Sequence, residues 1–155
     1  MAKDDAKALG KKLRGRARAI EPNVWRIMVV MANAMGASVI RSTPVDTGRA
    51  RSNWRVGIGQ APGKVIAPYS PGHKLGIGET ANADAAIAKI KSTLANPRRK
   101  PHNIYLKNNV HYIGKLNRGH SSQAPSQYVQ KAVRAGIMSL HGTKICLISG
   151  GGLGV

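Results

Sequence analysis

Apolar residues at spacings of three and four open the chain. Ala6, Leu9, Leu13, Ala17 and Ile20 predict a basic amphipathic helix over 2–20. Gly10 and Gly15 weaken it by about 1 kcal/mol each relative to alanine, which suits an element that orders against a partner. Pro22 fits the first turn of a second helix, where its missing N–H costs nothing. Val24, Ile27, Met28, Met31, Met35 and Val39 form one stripe along that helix, predicted over 22–42, and Pro44 stops it.

The period then changes to two. Ala50, Ser52, Trp54, Val56 and Ile58 alternate with Arg49, Arg51, Asn53 and Arg55, predicting a strand over 49–59 closed by Gly57 and Gly59. Residues 65–67 are its expected short partner, across the turn at 60–63. Residues 68–80 read as a loop. A helix is predicted over 81–95, with Ala85, Ile87, Ala88, Ile90 and Leu94 inward and Asn96-Pro97 ending it. A basic linker at 98–101 leads to a short strand at 104–107, a helical turn at 111–117 and a loop at Gly119. The last helix starts near Pro125-Ser126, carries Val129, Val133, Ile137 and Leu140 on one face, and ends at Gly142. The sum is an α+β fold: a long N-terminal helix packed on a small mixed or antiparallel β-sheet, with further short helices. Trp54 is expected to pack on Met28, Met31 and Met35. Three segments follow: a basic helix or arm at 1–21, a main domain at 22–142, and a tail or late strand at 143–155.

Composition sharpens this. The 155 residues suit one domain with one modest core. Aromatics are only 4% and Phe is absent, so the core rests on aliphatic residues with Trp25 and Trp54 as large anchors. A core of this kind suits a subunit that gains stability by assembling. One cysteine, Cys146, excludes an internal disulfide and a Cys-rich zinc site. No secretory signal is expected, because Lys and Arg continue to Arg18 without a long apolar run, and no membrane span, because Arg26 and Asn33 interrupt the longest apolar region, 24–39.

Charge changes the picture most. There are 25 Lys and Arg against 6 Asp and Glu, a net +19. The acids are Asp4, Asp5, Glu21, Asp46, Glu79 and Asp84, so none follows Ala85. A chain with this field repels itself and seeks anions: nucleic acid, an acidic membrane, or acidic protein neighbours.

The candidate chemistry is thin. Asp46-Thr47-Gly48 matches the Asp-Thr-Gly of aspartic proteases, whose mechanism needs two buried carboxylates sharing a proton. Here Asp46 is the only acid between Glu21 and Glu79, among Arg41, Arg49, Arg51 and Arg55, which would keep it ionised. The structural reading fits better: Asp46 caps the turn and pairs with an arginine, while Gly48 takes a backbone shape other residues resist. Gly76 and Gly78 match part of a dinucleotide fingerprint but lack the preceding strand. Gly59 to Lys64 is one residue short of a phosphate loop. His73, His102, His111, His120 and His141 have no helical metal-pair spacing. No catalytic, cofactor or metal residue is expected. Base-specific nucleic-acid recognition lacks aromatic platforms beyond Tyr105 and Tyr112, whereas a sequence-blind phosphate surface remains open.

Two segments carry more information: 43–54, containing Pro44-Val-Asp-Thr-Gly48, Arg51 and Trp54, and 108–125, containing Asn108-Asn109, Tyr112, Leu116, Gly119-His-Ser121 and Gln123-Ala-Pro125. Together they resemble the tail-completion (neck, or minor tail) proteins of long-tailed bacteriophages, in the same order over roughly residues 22–140. Asn117 departs from that family's usual Glu, which would alter any subunit contact that Glu makes. The resemblance implies a structural virion protein without catalysis or cofactor. It would form a six- or twelvefold homo-oligomeric ring at the head–tail junction, touching the head–tail connector and the tail terminator or tube proteins. DNA would pass through it with non-specific contact, and no membrane is involved. It implies residence in the virion, after assembly in the host cytoplasm. Its motif residues are Pro44, Asp46, Gly48, Arg51, Trp54, Asn109, Tyr112, Gly119, Ser121 and Pro125. Lys11, Lys12, Arg14, Arg98, Arg99 and Lys100 are the basic residues expected to face DNA or acidic partners. The alternative is a sequence-independent nucleic-acid-binding protein of ribosomal or nucleoid type.

Overall fold

The structure, a computed structural model, describes residues 2–72, 78–96, 102–123 and 126–141, with the side chains of 2–5, 17–19, 21 and 22 outside the description. Arg98, Arg99, Lys100, Pro125, Gly76, Cys146 and the predicted tail at 143–155 therefore lie outside the described residues.

The fold is α+β. Helix α1 (Ala2–Ser42) is followed by a helical turn α2 (Arg49–Ser52), strand β1 (Arg55–Ile58), helix α3 (Glu79–Leu94), strand β2 (Ile104–Lys107), a short helix α4 (Ile113–Asn117) and helix α5 (Tyr128–Met138). The two helices expected at 2–20 and 22–42 are one continuous helix, so the arm and the main domain share it. Pro22 therefore lies inside a helix instead of at its first turn, a position where proline costs a backbone hydrogen bond and about 3 kcal/mol.

The alternation at 49–59 misleads in its first half. Arg49–Ser52 is helical, and only Arg55–Ile58 extends into a strand. Its partner is β2, antiparallel, with Val56 opposite Leu106 and Ile58 opposite Ile104. Residues 65–67 form no strand. Ile66 instead exchanges two 2.8 Å hydrogen bonds with the Asn53 side chain, whose amide replaces a strand edge. A two-stranded ribbon is marginal alone, and this one lies against α3.

The core gathers where α1, α3 and α5 meet. Val39 and Ile40 of α1, Ile87, Ile90 and Leu94 of α3, Tyr128 of α5 and Trp54 are all buried there. Small residues set the helix spacing. A Cβ on Gly36 would stand 2.8 Å from Ile90 Cδ1, and one on Gly136 would collide with Met35. The buried helix faces thus hold Ala32, Ala86, Ala132, Gly36 and Gly136 alongside the large apolar residues. Ala88, expected inward, is exposed, while Ala83 and Ala86 are buried. Helix α5 turns Tyr128, Ala132 and Gly136 inward and leaves Val133 and Ile137, expected inside, at 44% and 49% exposure. Met35 and Met31 lie against Gly136, and Tyr128 sits beside Thr43, so α5 runs back antiparallel along α1. That takes the methionine stripe to α5, and Trp54 packs at the Thr43 end of α1 instead.

Residues Asn23–Ser42 are long and apolar enough to cross a membrane by length and composition, contrary to the sequence expectation. Within that span, Ala32, Val39 and Ile40 belong to the protein core.

Candidate functional site: the corner after helix α1

Helix α1 ends at Ser42, and its last carbonyls need donors. Arg51 supplies them. Its guanidinium is buried and donates to the Thr43 carbonyl from Nε at 3.1 Å and from Nη2 at 2.6 Å. Nη2 also reaches the Arg41 carbonyl at 3.2 Å and Glu79 Oε1 at 3.0 Å, and Nη1 the Glu79 carbonyl at 3.1 Å. A cation at a helix C-terminus also opposes the negative end of the helix dipole. Arg51 thus joins the end of α1 to the start of α3. The alternation placed it on a solvent-facing side; the helical turn at 49–52 rotates it inward instead.

Gly48 sits at φ +76°, the left-handed region expected of it. A Cβ there would also collide with the Asn82 amide. Asn82 is fully buried and organises the next layer. Its Oδ1 accepts from Ser52 Oγ at 2.7 Å and from the Ser70 amide at 2.9 Å; its Nδ2 donates to the Ser70 and Gly78 carbonyls at 2.6 and 2.8 Å. Asn82 did not stand out in the sequence, and Thr43 did so only as the first residue of the segment 43–54. An asparagine on the apolar side of a helical pattern was the available signal.

Asp46 corrects an expectation. It is exposed and, among the described residues, makes neither a turn hydrogen bond nor an ion pair with arginine. With Gly48 supplying the backbone shape and Arg51 the helix cap, the corner closes without its carboxylate. An exposed carboxylate also lacks the burial a protease dyad needs.

The second segment folds onto the first. Asn108 Nδ2 donates to the Ala50 carbonyl at 2.7 Å, and the Val45 amide donates to Gln123 Oε1 at 3.0 Å. Asn109 Nδ2 ties the same stretch to the Pro62 carbonyl at 2.7 Å. Between the two lies an open cavity of about 400 Å³, with residues 44–50 on one side and Tyr112, Leu116, His120, Ser121 and Gln123 on the other. Burial raises the Tyr112 pKa, Arg49 opposes that, and the Asp46 charge adds to it. Ser121 Oγ accepts from the Gln123 amide at 3.2 Å, and Gly119 takes φ +92° in the intervening loop.

Asn117, the departure from the family pattern, has an internal task. Its Oδ1 accepts the Val129 amide at 3.0 Å, and its carbonyl accepts the Gln127 amide at 2.7 Å. It therefore satisfies an orphan donor in the first turn of α5.

Of the motif residues, Pro44, Asp46, Gly48, Tyr112 and Ser121 surround the cavity. Arg51 and Trp54 do not line it but are buried at the end of α1, both hydrogen-bonded to Thr43; Asn109 and Gly119 lie in the return segment, and Pro125 lies outside the described residues. Lys11, Lys12 and Arg14 are exposed on α1, away from this corner. Comparison of the chain with protein-family models, curated proteins and solved structures finds no match. The corner offers hydrogen-bonding groups of both kinds, a cation at Arg49, an anion at Asp46 and apolar side chains at Pro44, Val45 and Leu116.

Proposed function

We propose that the chain is a structural subunit of a bacteriophage head–tail junction, a tail-completion or neck protein that acts in the virion as a ring. One observation carries the reading. The two segments that resemble that family, separated by more than fifty residues, converge on one corner and are tied by Asn108 to Ala50 and by Val45 to Gln123. On this reading the cavity at the corner receives a segment of a neighbouring subunit, and the exposed cations face acidic surfaces of the connector or tail proteins, with a minority toward DNA.

The second reading, sequence-independent nucleic-acid binding, is favoured by the exposed Lys7, Lys11, Lys12, Arg14 and Arg16 on one helix. Native mass spectrometry and electron microscopy of the purified chain, alone and with a head–tail connector ring, separate the two. A closed six- or twelvefold ring that Ser121→Trp prevents, with the fold retained, supports the neck. A persistent monomer that holds duplex DNA tightly at physiological salt supports the alternative.

A further inference from the structure

The first half of α1 presents an apolar stripe to solvent. Leu9, Leu13 and Ile20 are 57%, 56% and 57% exposed, and Val24 is 37% exposed. At 3.6 residues per turn the four side chains fall within about 60° of arc, over about 22 Å of helix. That width decides what fits. A helix lying in a membrane surface or against a globular core shows a stripe wider than about 100°, whereas a narrow stripe is the seam of a helix pair. Lys12 and Arg16, both exposed and one turn apart, border the seam on one side. Such bordering charges select the partner of a paired helix. A second copy would bring the same cations, and the chain carries only 6 acids against 25 bases.

We propose that the 9–24 stretch of α1 is a docking seam for an acidic amphipathic helix of a different protein. The partner's apolar edge covers Leu9, Leu13, Ile20 and Val24, and its carboxylates meet Lys12 and Arg16. The inference goes beyond the neck reading and does not depend on it.

The test uses the full chain and labelled helical peptides of about four heptads, followed by fluorescence anisotropy. One peptide carries leucine along its seam and glutamate at its borders; the other has lysine at the borders. Vesicles of phosphatidylglycerol and duplex DNA run in parallel. The glutamate peptide binds and the lysine peptide does not. Leu9→Ser/Leu13→Ser and Lys12→Glu/Arg16→Glu each weaken binding at least about tenfold, and the charge-reversed variant accepts the lysine peptide in exchange. These positions are exposed, so near-ultraviolet circular dichroism of both variants stays that of the parent. Failure to bind the glutamate peptide, or binding that ignores the leucine changes, overturns the proposal. So does preference for vesicles or DNA, or self-association that Leu9→Ser/Leu13→Ser abolishes.

Discussion

Trp54 Nε1 donates a 2.8 Å hydrogen bond to Thr43 Oγ1, and the same hydroxyl donates to the Val39 carbonyl at 2.6 Å. One side chain therefore satisfies a buried indole and a carbonyl in the last turn of α1. Thr43→Val keeps the shape and leaves both groups unpaired, at a cost of about 1–3 kcal/mol. Thr43→Ser keeps the hydroxyl and loses one methyl, about 0.8 kcal/mol. Urea unfolding followed by Trp fluorescence should rank them in that order. Equal losses for the two variants would mean that the methyl, and not the hydrogen bonds, matters.

Arg51 holds three carbonyls and one carboxylate, and the carbonyls dominate. The Glu79 side chain is 53% exposed, so its ion pair with Arg51 is screened and contributes at most about 1 kcal/mol. Glu79→Gln should therefore shift the urea midpoint little. Arg51→Met strands the Thr43, Arg41 and Glu79 carbonyls and should cost more than about 2 kcal/mol. Arg51→Lys should fail to rescue it, because a point charge cannot span the donor fork. A Glu79→Gln loss as large as that of Arg51→Met contradicts this division.

How much of this corner was legible in the sequence follows from what each residue type reveals. Gly48 was legible, because the chain must reverse between Pro44 and the next element and only glycine takes φ +76° easily. Helix α3 and strand β2 were legible from their periods. Arg51 was not, because arginine is read as solvent-facing and its burial depends on carbonyls that belong to a neighbouring helix. The inward face of α5 was missed for a related reason. Tyr128, Ala132 and Gly136 are less apolar by composition than Val133 and Ile137, yet close approach to α1 requires small residues. The pairing of β1 with β2 spans the whole of α3, and nothing local in either strand encodes it.

Gly48 and Asp46 separate backbone from charge at the same corner. Gly48→Ala forces a Cβ into both the left-handed region and the Asn82 amide. The loss should exceed about 1 kcal/mol, since the strain and the close contact add. Asp46→Asn alters an exposed group that makes no hydrogen bond among the described residues and should stay within about 0.5 kcal/mol. Thermal melts of the two variants check the pair. A larger effect at Asp46 would restore the carboxylate as the element that closes the turn.

The face of α5 gives a further contrast. Gly136→Ala places a methyl against Met35 and overpacks the α1–α5 contact, at about 1–3 kcal/mol. Combining it with Met35→Ala should recover part of that loss, because the two sites touch. Ile137→Ser, one residue away but exposed, should change stability by less than about 0.5 kcal/mol. Denaturant unfolding of the two single variants and the double variant tests the coupling. Additive losses at 35 and 136 would separate the two side chains.

Tyr128 predicts an alkaline limb in stability. Its side chain is buried, its hydroxyl has no well-formed hydrogen bond among the described residues, and burial raises its pKa above 10.0, with a weaker opposing effect from the Thr43 side chain beside it. The sign follows from linkage. Below about pH 10 the phenol is neutral in both states and stability is independent of it. As pH rises through 10 the unfolded chain ionises first, so stability falls until the folded pKa is also passed. Lysines titrate in the same range, so the contribution is read as the difference between the parent and Tyr128→Phe. The variant should be as stable as the parent near neutrality, because it removes a buried unpaired hydroxyl. It should also lose less stability between about pH 9 and pH 11. Urea midpoints across that range decide it, and parallel curves for the two proteins would show that Tyr128 ionises as easily folded as unfolded.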